Sequence, residues 1–201
     1  MTAAPDTTPL VPVHTEAVVD DPTSLRWVAP VGNLGFVGTP SRMPSALTSL
    51  LADATLAEVA LTASAVVTRL GPGHTWRAEG GRVRDAVQAA LADPDGWAAP
   101  EGASPDDALR MAVVEVIAGD VGDYVRSHGA QIELVAVGEG SVEVQMSGAC
   151  SHCPAADITL SGRFETALRA LHPGVREVRA RVGGSELPTG ARRLPLHLLR
   201  R

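Results

Sequence analysis

The sequence predicts an α+β fold built from two small α/β domains. Two segments of similar length each combine apolar alternation, which is typical of strands, with apolar residues at helical spacing. Between them lies a stretch dense in proline, glycine and small residues, which indicates a linker. The chain has 201 residues, of which 45% are hydrophobic. This length and composition suffice for each segment to bury a core of its own.

The predicted organisation has five parts. Residues 1–18, rich in Thr, Ala and Pro near their start, are predicted to be a disordered tail. The first domain covers residues 19–92, the linker 93–104 and the second domain 105–183. A locally basic tail follows over residues 184–201 and is predicted to be solvated or docked.

The first domain reads as strand, helix, hairpin and helix. Alternation predicts a strand from Ser24 to Ala29. A short helix is predicted from Pro44 to Leu51, followed by a hairpin whose strands are residues 56–61 and 65–70. Apolar residues at helical spacing predict a second helix from Gly80 to Leu91.

The second domain is predicted in the order helix, hairpin, cysteine loop, helix and strand. Ser104 and Pro105 begin a helix of about five turns, because apolar pairs recur every four residues as far as Val125. This stripe places Tyr124 in the core. The later elements are strands over 132–137 and 142–146 around the turn Gly138-Glu-Gly140, a helix from Pro154 to about Leu171, and a strand over 175–182.

Composition and charge argue against several classes of function. All basic residues are arginine, so the chain lacks the lysine of Schiff-base chemistry and of phosphate-binding loops. The net charge of −6 does not suit nonspecific binding to nucleic acid. With no long apolar run and no signal pattern, we expect a cytoplasmic protein that spans no membrane. Thiols stay reduced there, so the two cysteines are expected to be free or metal-bound.

Both cysteines lie in one short segment, Cys150-Ser-His-Cys153. This segment follows a predicted strand and precedes Pro154, which favours the first position of a helix. Unpaired N–H groups and the positive end of the helix dipole at that place stabilise thiolates, the form that binds metal. Gly148 allows the backbone to bend just before the pair, with positive φ accessible to it. The spacing therefore lets both sulfurs bind one metal centre.

One chain supplies only two thiolates, whereas zinc and the common iron–sulfur clusters generally take four protein ligands. The count favours a centre shared between two copies of the chain, or an exposed and labile one. The motif alone leaves other interpretations open. It also suits a redox-active dithiol, a structural zinc shared between chains, or two cysteines without such a role.

The residues around the cysteines resemble the C-terminal domain of NifU, the Nfu-type domain. The similar pattern is a strand, then G-x-C-x-x-C-P, then a helix that begins with small residues and a Thr-Leu pair. The resemblance spans about Pro105 to Val182 and includes a closing pattern like "P-x-V-x-x-V" at Pro173 to Val178. In the first domain, Asp21-Pro-Thr-Ser-Leu-Arg-Trp27 is similar to the opening of the N-terminal domain found in many Nfu proteins.

The resemblance implies a scaffold or carrier for iron–sulfur clusters, not an enzyme. Cys150 and Cys153 would be the cluster ligands, in a cluster-bridged homodimer. The implied cluster is [4Fe-4S] in preference to [2Fe-2S]. The implied partners are upstream cluster-assembly proteins and the apo iron–sulfur proteins that receive the cluster. A dithiol/disulfide oxidoreductase is the alternative.

One turn departs from the family's pattern. An acidic, glycine-rich A-D-G-G-D turn is usual between the first helix and first strand of the domain. Here residues 126–130 read Arg-Ser-His-Gly-Ala, and only Gly129 fits. Whatever this turn contributes to partner contact or loop packing is therefore in question. Of the residues between the cysteines, His152 is expected to be exposed, and Asp157 is expected to stabilise the first turn of the helix.

Overall fold

The computed structural model describes residues 11–148 and 154–182, which form an α+β fold with two sheets. The predicted fold class is confirmed. The residues of each sheet and its helices surround a hydrophobic core. The predicted domain bounds, 19–92 and 105–183, stay a prediction. Several contacts join the two halves of the chain.

The first half contains a four-stranded antiparallel sheet in the order β1-β2-β4-β3. Its elements are β1 (His14–Val18), β2 (Asp21–Val28), α1 (Ser45–Ala52), β3 (Leu56–Leu61), β4 (Ala65–Leu70) and α2 (Trp76–Leu91). The strand β1 corrects the predicted tail of residues 1–18 over residues 14–18 only, and residues 1–10 lie outside the described residues. β1 is almost wholly exposed and is held by pairing with β2, so its sequence carries little hydrophobic signal.

Tryptophan side chains anchor the core of the first half. Trp27 of β2 is 2% exposed, and its indole N–H donates to the hydroxyl of Thr68 at 2.7 Å. Trp97, within the predicted linker, is also buried and donates to the carbonyl oxygen of Ala90 at 2.9 Å. The linker therefore lies against the first core over this part of its length.

The second half contains a three-stranded sheet in the order β5-β6-β7. Its elements are α3 (Pro105–Ala118), α4 (Asp120–Ser127), β5 (Ala130–Gly138), β6 (Ser141–Gly148), α5 (Pro154–Leu171) and β7 (Glu177–Val182). The central strand β6 pairs antiparallel with β5 and parallel with β7. Side chains of the helices and of one sheet face form the core, and Phe164 and Leu168 of α5 are fully buried in it.

The prediction of one helix of about five turns before β5 is wrong, because the chain forms two helices, α3 and α4. They meet at Gly119, whose φ of −94° and ψ of −159° are extended. The end of α3 and the start of α4 lie close together here. A Cβ at Gly122 would overlap the carbonyl oxygen of Ile117. The apolar spacing continued through the break and gave no sign of it.

Two backbone features fix the start of α3 and the β5–β6 hairpin. Ser104 caps α3 by accepting from the N–H of Asp106 at 3.2 Å. The hairpin turn consists of Glu139 and Gly140, whose φ angles are 52° and 76°. Two successive positive φ angles match the right-handed twist of the strands. The carboxylate of Asp106 also accepts from the N–H of Glu139 at 3.3 Å, which joins the helix start to the turn.

Among the described residues the two halves contact one another at several places, two of which are formed by turns of the first half. Ala63, in the β3–β4 turn, is buried within the core of the second half. The turn over Gly32–Leu34 lies against the end of α5, where a Cβ at Gly32 would overlap the carbonyl oxygen of Leu171. A third contact comes from a strand, since the guanidinium of Arg26 in β2 lies 3.9 Å from the carboxylate of Glu115 in α3.

Candidate functional site

The candidate segment is residues 149–153, which connect β6 to α5. Cys150, Cys153 and His152 lie in this segment, outside the described residues. The frame on either side of it is described. It consists of the central strand of the sheet, ending at Gly148, and an 18-residue helix, beginning at Pro154. The predicted order of strand, cysteine segment and helix is confirmed for the two flanking elements.

Gly148 is required by its conformation and by its surroundings. Its φ is +88°, in the left-handed region that favours glycine. A Cβ at this position would overlap the carbonyl oxygen of Gly129 and lie 3.0 Å from the Cα of Ala130. Gly148 pairs with Ala130 at the end of the β5–β6 ladder. The chain can therefore turn out of the central strand while the neighbouring backbone stays close.

The helix α5 is fixed by its buried half. Phe164 and Leu168 are each 0% exposed, and both belong to the core of the second half. Leu171, the last residue of the helix, is partly buried against the same core. Because α5 begins at Pro154, its N-terminal end directly follows residues 149–153 in the chain. The free N–H groups and dipole of a helix N-terminus favour thiolates there.

The turn before β5 lies against this frame. Gly129 is the one residue of this turn that fits the family's pattern. Its φ is 70°, in the left-handed region that favours glycine. Arg126 donates to Asp123 at 2.6 Å and to the carbonyl oxygen of Ile117 at 3.2 Å. The arginine that departs from the family's acidic turn therefore holds α4 to the end of α3. The backbone of Gly129 lies close to Gly148, so the turn that differs from the family's pattern is next to the start of the cysteine segment.

Tyr124 is half-buried and packs against the core of the second half. The prediction that it is a core residue is therefore only partly confirmed. The guanidinium of Arg163 lies 4.5 Å from the centre of its ring, as in a cation–π contact. The ring of His128 meets it edge to face, with 4.6 Å between the ring centres. This cluster joins α4 to α5. Sequence reasoning missed Arg163, because only the tertiary fold brings it to Tyr124.

The described residues contribute no further group of metal ligands. Within 11–148 and 154–182, no three or more His, Cys, Asp or Glu side chains are grouped so that they could hold a metal ion. Cysteine thiolates are soft ligands that suit zinc and iron–sulfur centres. The donor set predicted from the sequence therefore fits a cluster in its chemistry. Among the described helices, none is long and apolar enough to cross a membrane.

Comparisons with known proteins agree with the architecture. Residues 113–179 match the NifU-like domain family. The chain is 33% identical over 72 residues to the Fe/S biogenesis protein NfuA of Shewanella pealeana, a match that covers 35% of this chain and 38% of that protein. It is 33% identical over 82 residues to the protein of the same name from Stenotrophomonas maltophilia strain K279a, covering 39% and 41%. The chain thus spans about two fifths of the length of these curated relatives.

The family match covers the part of the chain that carries the candidate segment. Residues 113–179 run from within α3 into β7 and include residues 149–153. The similarity of the first half to Nfu N-terminal domains lies outside this match and stays a prediction. The resemblance of the second half is confirmed to this extent: residues 113–179 match the NifU-like domain family.

Proposed function

We propose that this protein is an iron–sulfur cluster scaffold or carrier. It binds a cluster through Cys150 and Cys153 and passes it to apo iron–sulfur proteins. The cluster is cargo, received from upstream assembly proteins or built in place. The names of the two relatives, both Fe/S biogenesis proteins, support this role.

One structural observation carries the proposal. Both cysteines of the chain fall within the five residues between the end of a central strand and the start of a helix that buries Phe164 and Leu168 in the core. Gly148 sets the direction in which the chain leaves the strand, and α5 presents its N-terminus to the same segment. Two thiols near a helix N-terminus are favoured as thiolates, the form that binds iron.

The number of donors supports a shared centre. A [4Fe-4S] or [2Fe-2S] cluster generally takes four protein ligands, and each chain offers two thiolates. Two copies of the chain would complete the set, which gives one cluster per two chains. We propose [4Fe-4S] in preference to [2Fe-2S] as the native cluster.

The proposal describes a binding protein and not an enzyme. The net charge of −6 supports partners other than nucleic acid, since an acidic protein repels phosphates. We also propose a cytoplasmic location, where reducing conditions keep both thiols available. We propose no membrane partner.

Anaerobic reconstitution with iron and sulfide tests the proposal. We expect a brown protein with the visible absorption of a cluster, which then passes that cluster to an apo-ferredoxin on mixing. A variant with Cys150→Ser and Cys153→Ser should stay colourless, and Ser151→Ala in the same segment should behave as the wild type. If the wild-type protein takes up no iron without oxygen, the proposal is wrong. Catalysis of disulfide exchange by a colourless protein would instead support the oxidoreductase alternative.

A further inference from the structure

His172, the first residue after α5, is buried where the two halves of the chain meet. It lines a cavity of about 10 Å³ together with Ala108 and Leu171 of the second half. The other seven residues that line this cavity belong to the first half, at positions 31, 32, 35–37, 62 and 63. The first half therefore supplies most of the cover that keeps the imidazole from water.

We propose that this junction is a pH-sensitive latch: protonation of His172 releases the first half from the NifU-like half and leaves both halves folded. A cavity of this volume has room for about one water at most. An imidazolium enclosed there would lose most of its hydration, whereas water reaches the ring once the halves separate. Protons therefore bind the undocked state more tightly, so a fall in pH favours release.

The charges around the cavity do not replace the lost hydration. Among the described residues that line it, His172 is the only titratable one. The two turns of the first half that cover it, residues 31–37 and 62–64, carry no charge. The surrounding charged side chains are Asp106, Asp107, Arg110 and Glu115 of α3, Glu165 and Arg169 near the end of α5, and Arg176 beyond it.

Most of these charged groups are engaged elsewhere. The carboxylates of Asp106, Asp107 and Glu115 accept from backbone N–H groups. Glu165 pairs with Arg169 within α5. Burial is accordingly the cause that lowers the pKa of His172 from its ordinary value of 6.5.

Release without unfolding is consistent with the two cores. The buried residues of the first core all come from residues 27–97. Those of the second core come from residues 109–175, apart from Ala63. Across the junction the described contacts are formed by small residues and by one polar group, the carboxylate of Glu115. Domains joined in this way are expected to move relative to one another.

Energy transfer measures docking, because all three tryptophans lie in residues 27–97. An acceptor dye is attached to the exposed position 170 of α5, as Ala170→Cys in the full-length chain with Cys150→Ser and Cys153→Ser. We expect transfer to fall as the pH is lowered from 7.5 to 5.5, while the circular dichroism stays unchanged. The undocking constant should rise by at most about tenfold per pH unit, since one proton is taken up.

Two histidine variants assign the effect. His172→Gln cannot be protonated and should keep the transfer constant over this pH range. The matched control, His14→Gln, removes an exposed imidazole from β1 and should titrate as the wild type does.

A glycine variant tests the same coupling from the first half, and it decides alone if His172→Gln is undocked at pH 7.5. A Cβ at Gly32 would overlap the carbonyl oxygen of Leu171, so Gly32→Ala should lower the transfer already at pH 7.5. By linkage it should raise the pKa of His172 toward 6.5, which an NMR titration of the ring Cε1–H measures. Gly81→Ala, where a Cβ has no neighbour within 4 Å, should change neither quantity.

Three results would overturn the proposal. The first is a transfer in the wild type that is constant from pH 7.5 to 5.5. The second is a loss of transfer that coincides with loss of circular dichroism, which would mean unfolding instead of release. The third is a Gly32→Ala protein in which the pKa of His172 is unchanged. All measurements are made without iron, so they do not depend on the proposed cluster chemistry.

Discussion

The carboxylate of Glu115 accepts a hydrogen bond from the backbone N–H of Ala63 at 3.2 Å. Glu115 belongs to α3 of the NifU-like half, and Ala63 to the β3–β4 turn of the other half. The guanidinium of Arg26 lies 3.9 Å from the second carboxylate oxygen and donates to Ser64 at 2.8 Å. The side chain of Glu115 therefore joins α3 to two elements of the first half, the β3–β4 turn and the strand β2.

We expect Glu115→Ala to destabilise the protein by about 1–3 kcal/mol, because it leaves the N–H of Ala63 without its acceptor in a part-buried place. Glu115→Gln keeps an acceptor oxygen and should cost less. Urea unfolding followed by tryptophan fluorescence measures both variants. All three tryptophans lie in residues 27–97, so this signal reports the first half. Equal stability of wild type and Glu115→Ala would contradict the role given to this contact.

Gly148 gives a second prediction. We expect Gly148→Ala to destabilise the NifU-like half by about 1–3 kcal/mol, since alanine is strained at positive φ and its Cβ meets the backbone of Gly129. Gly138→Ala is the matched control at the other end of β5. A Cβ there has no neighbour within 4 Å, and its φ is not positive. Thermal unfolding by circular dichroism distinguishes the two, and similar losses in both variants would count against the close approach at Gly148.

His172 gives a prediction about pH. Burial lowers the pKa of His172 below its ordinary value of 6.5, because the imidazolium form loses its hydration. The ring lies beside a small cavity lined by Val31, Phe36 and Ala108 from both halves. In the unfolded chain the histidine takes up its proton at higher pH than in the fold. Its contribution to stability is therefore complete above pH 6.5 and is lost as the pH falls from there toward the native pKa.

Urea unfolding at a series of pH values from 7.5 downward checks this expectation. The free energy of unfolding should decrease with falling pH in the wild type. His172→Gln, which cannot be protonated, should remove part of that decrease. An identical pH dependence in the two proteins would show that the histidine is not held neutral by the fold.

The sequence was sufficient to predict most of the NifU-like half, because its signals are local. Ser104 with Pro105 marked the start of α3, and Gly138-Glu-Gly140 marked the hairpin turn. Pro154 and Leu171 were predicted as the bounds of α5, and the structure has the same bounds. These features depend on caps, on positive φ and on proline, all of which act within a few residues.

Features that depend on tertiary contact were not predictable. The break at Gly119 interrupts an apolar spacing that looks continuous, and β1 is a strand through its pairing with β2 rather than through burial. The Arg163–Tyr124 contact and the Glu115–Ala63 hydrogen bond join residues far apart in sequence. Single-sequence periodicity contains no information about such pairs.

Native mass spectrometry of protein purified without oxygen tests the central claim most directly. We expect a dimer whose mass exceeds that of two chains by one iron–sulfur cluster, and a cluster-free species in the Cys150→Ser, Cys153→Ser variant. The excess mass distinguishes [4Fe-4S] from [2Fe-2S] in the same spectrum. A wild-type protein that carries no iron and sulfide, or a double variant that keeps them, would contradict the assignment of Cys150 and Cys153 as cluster ligands.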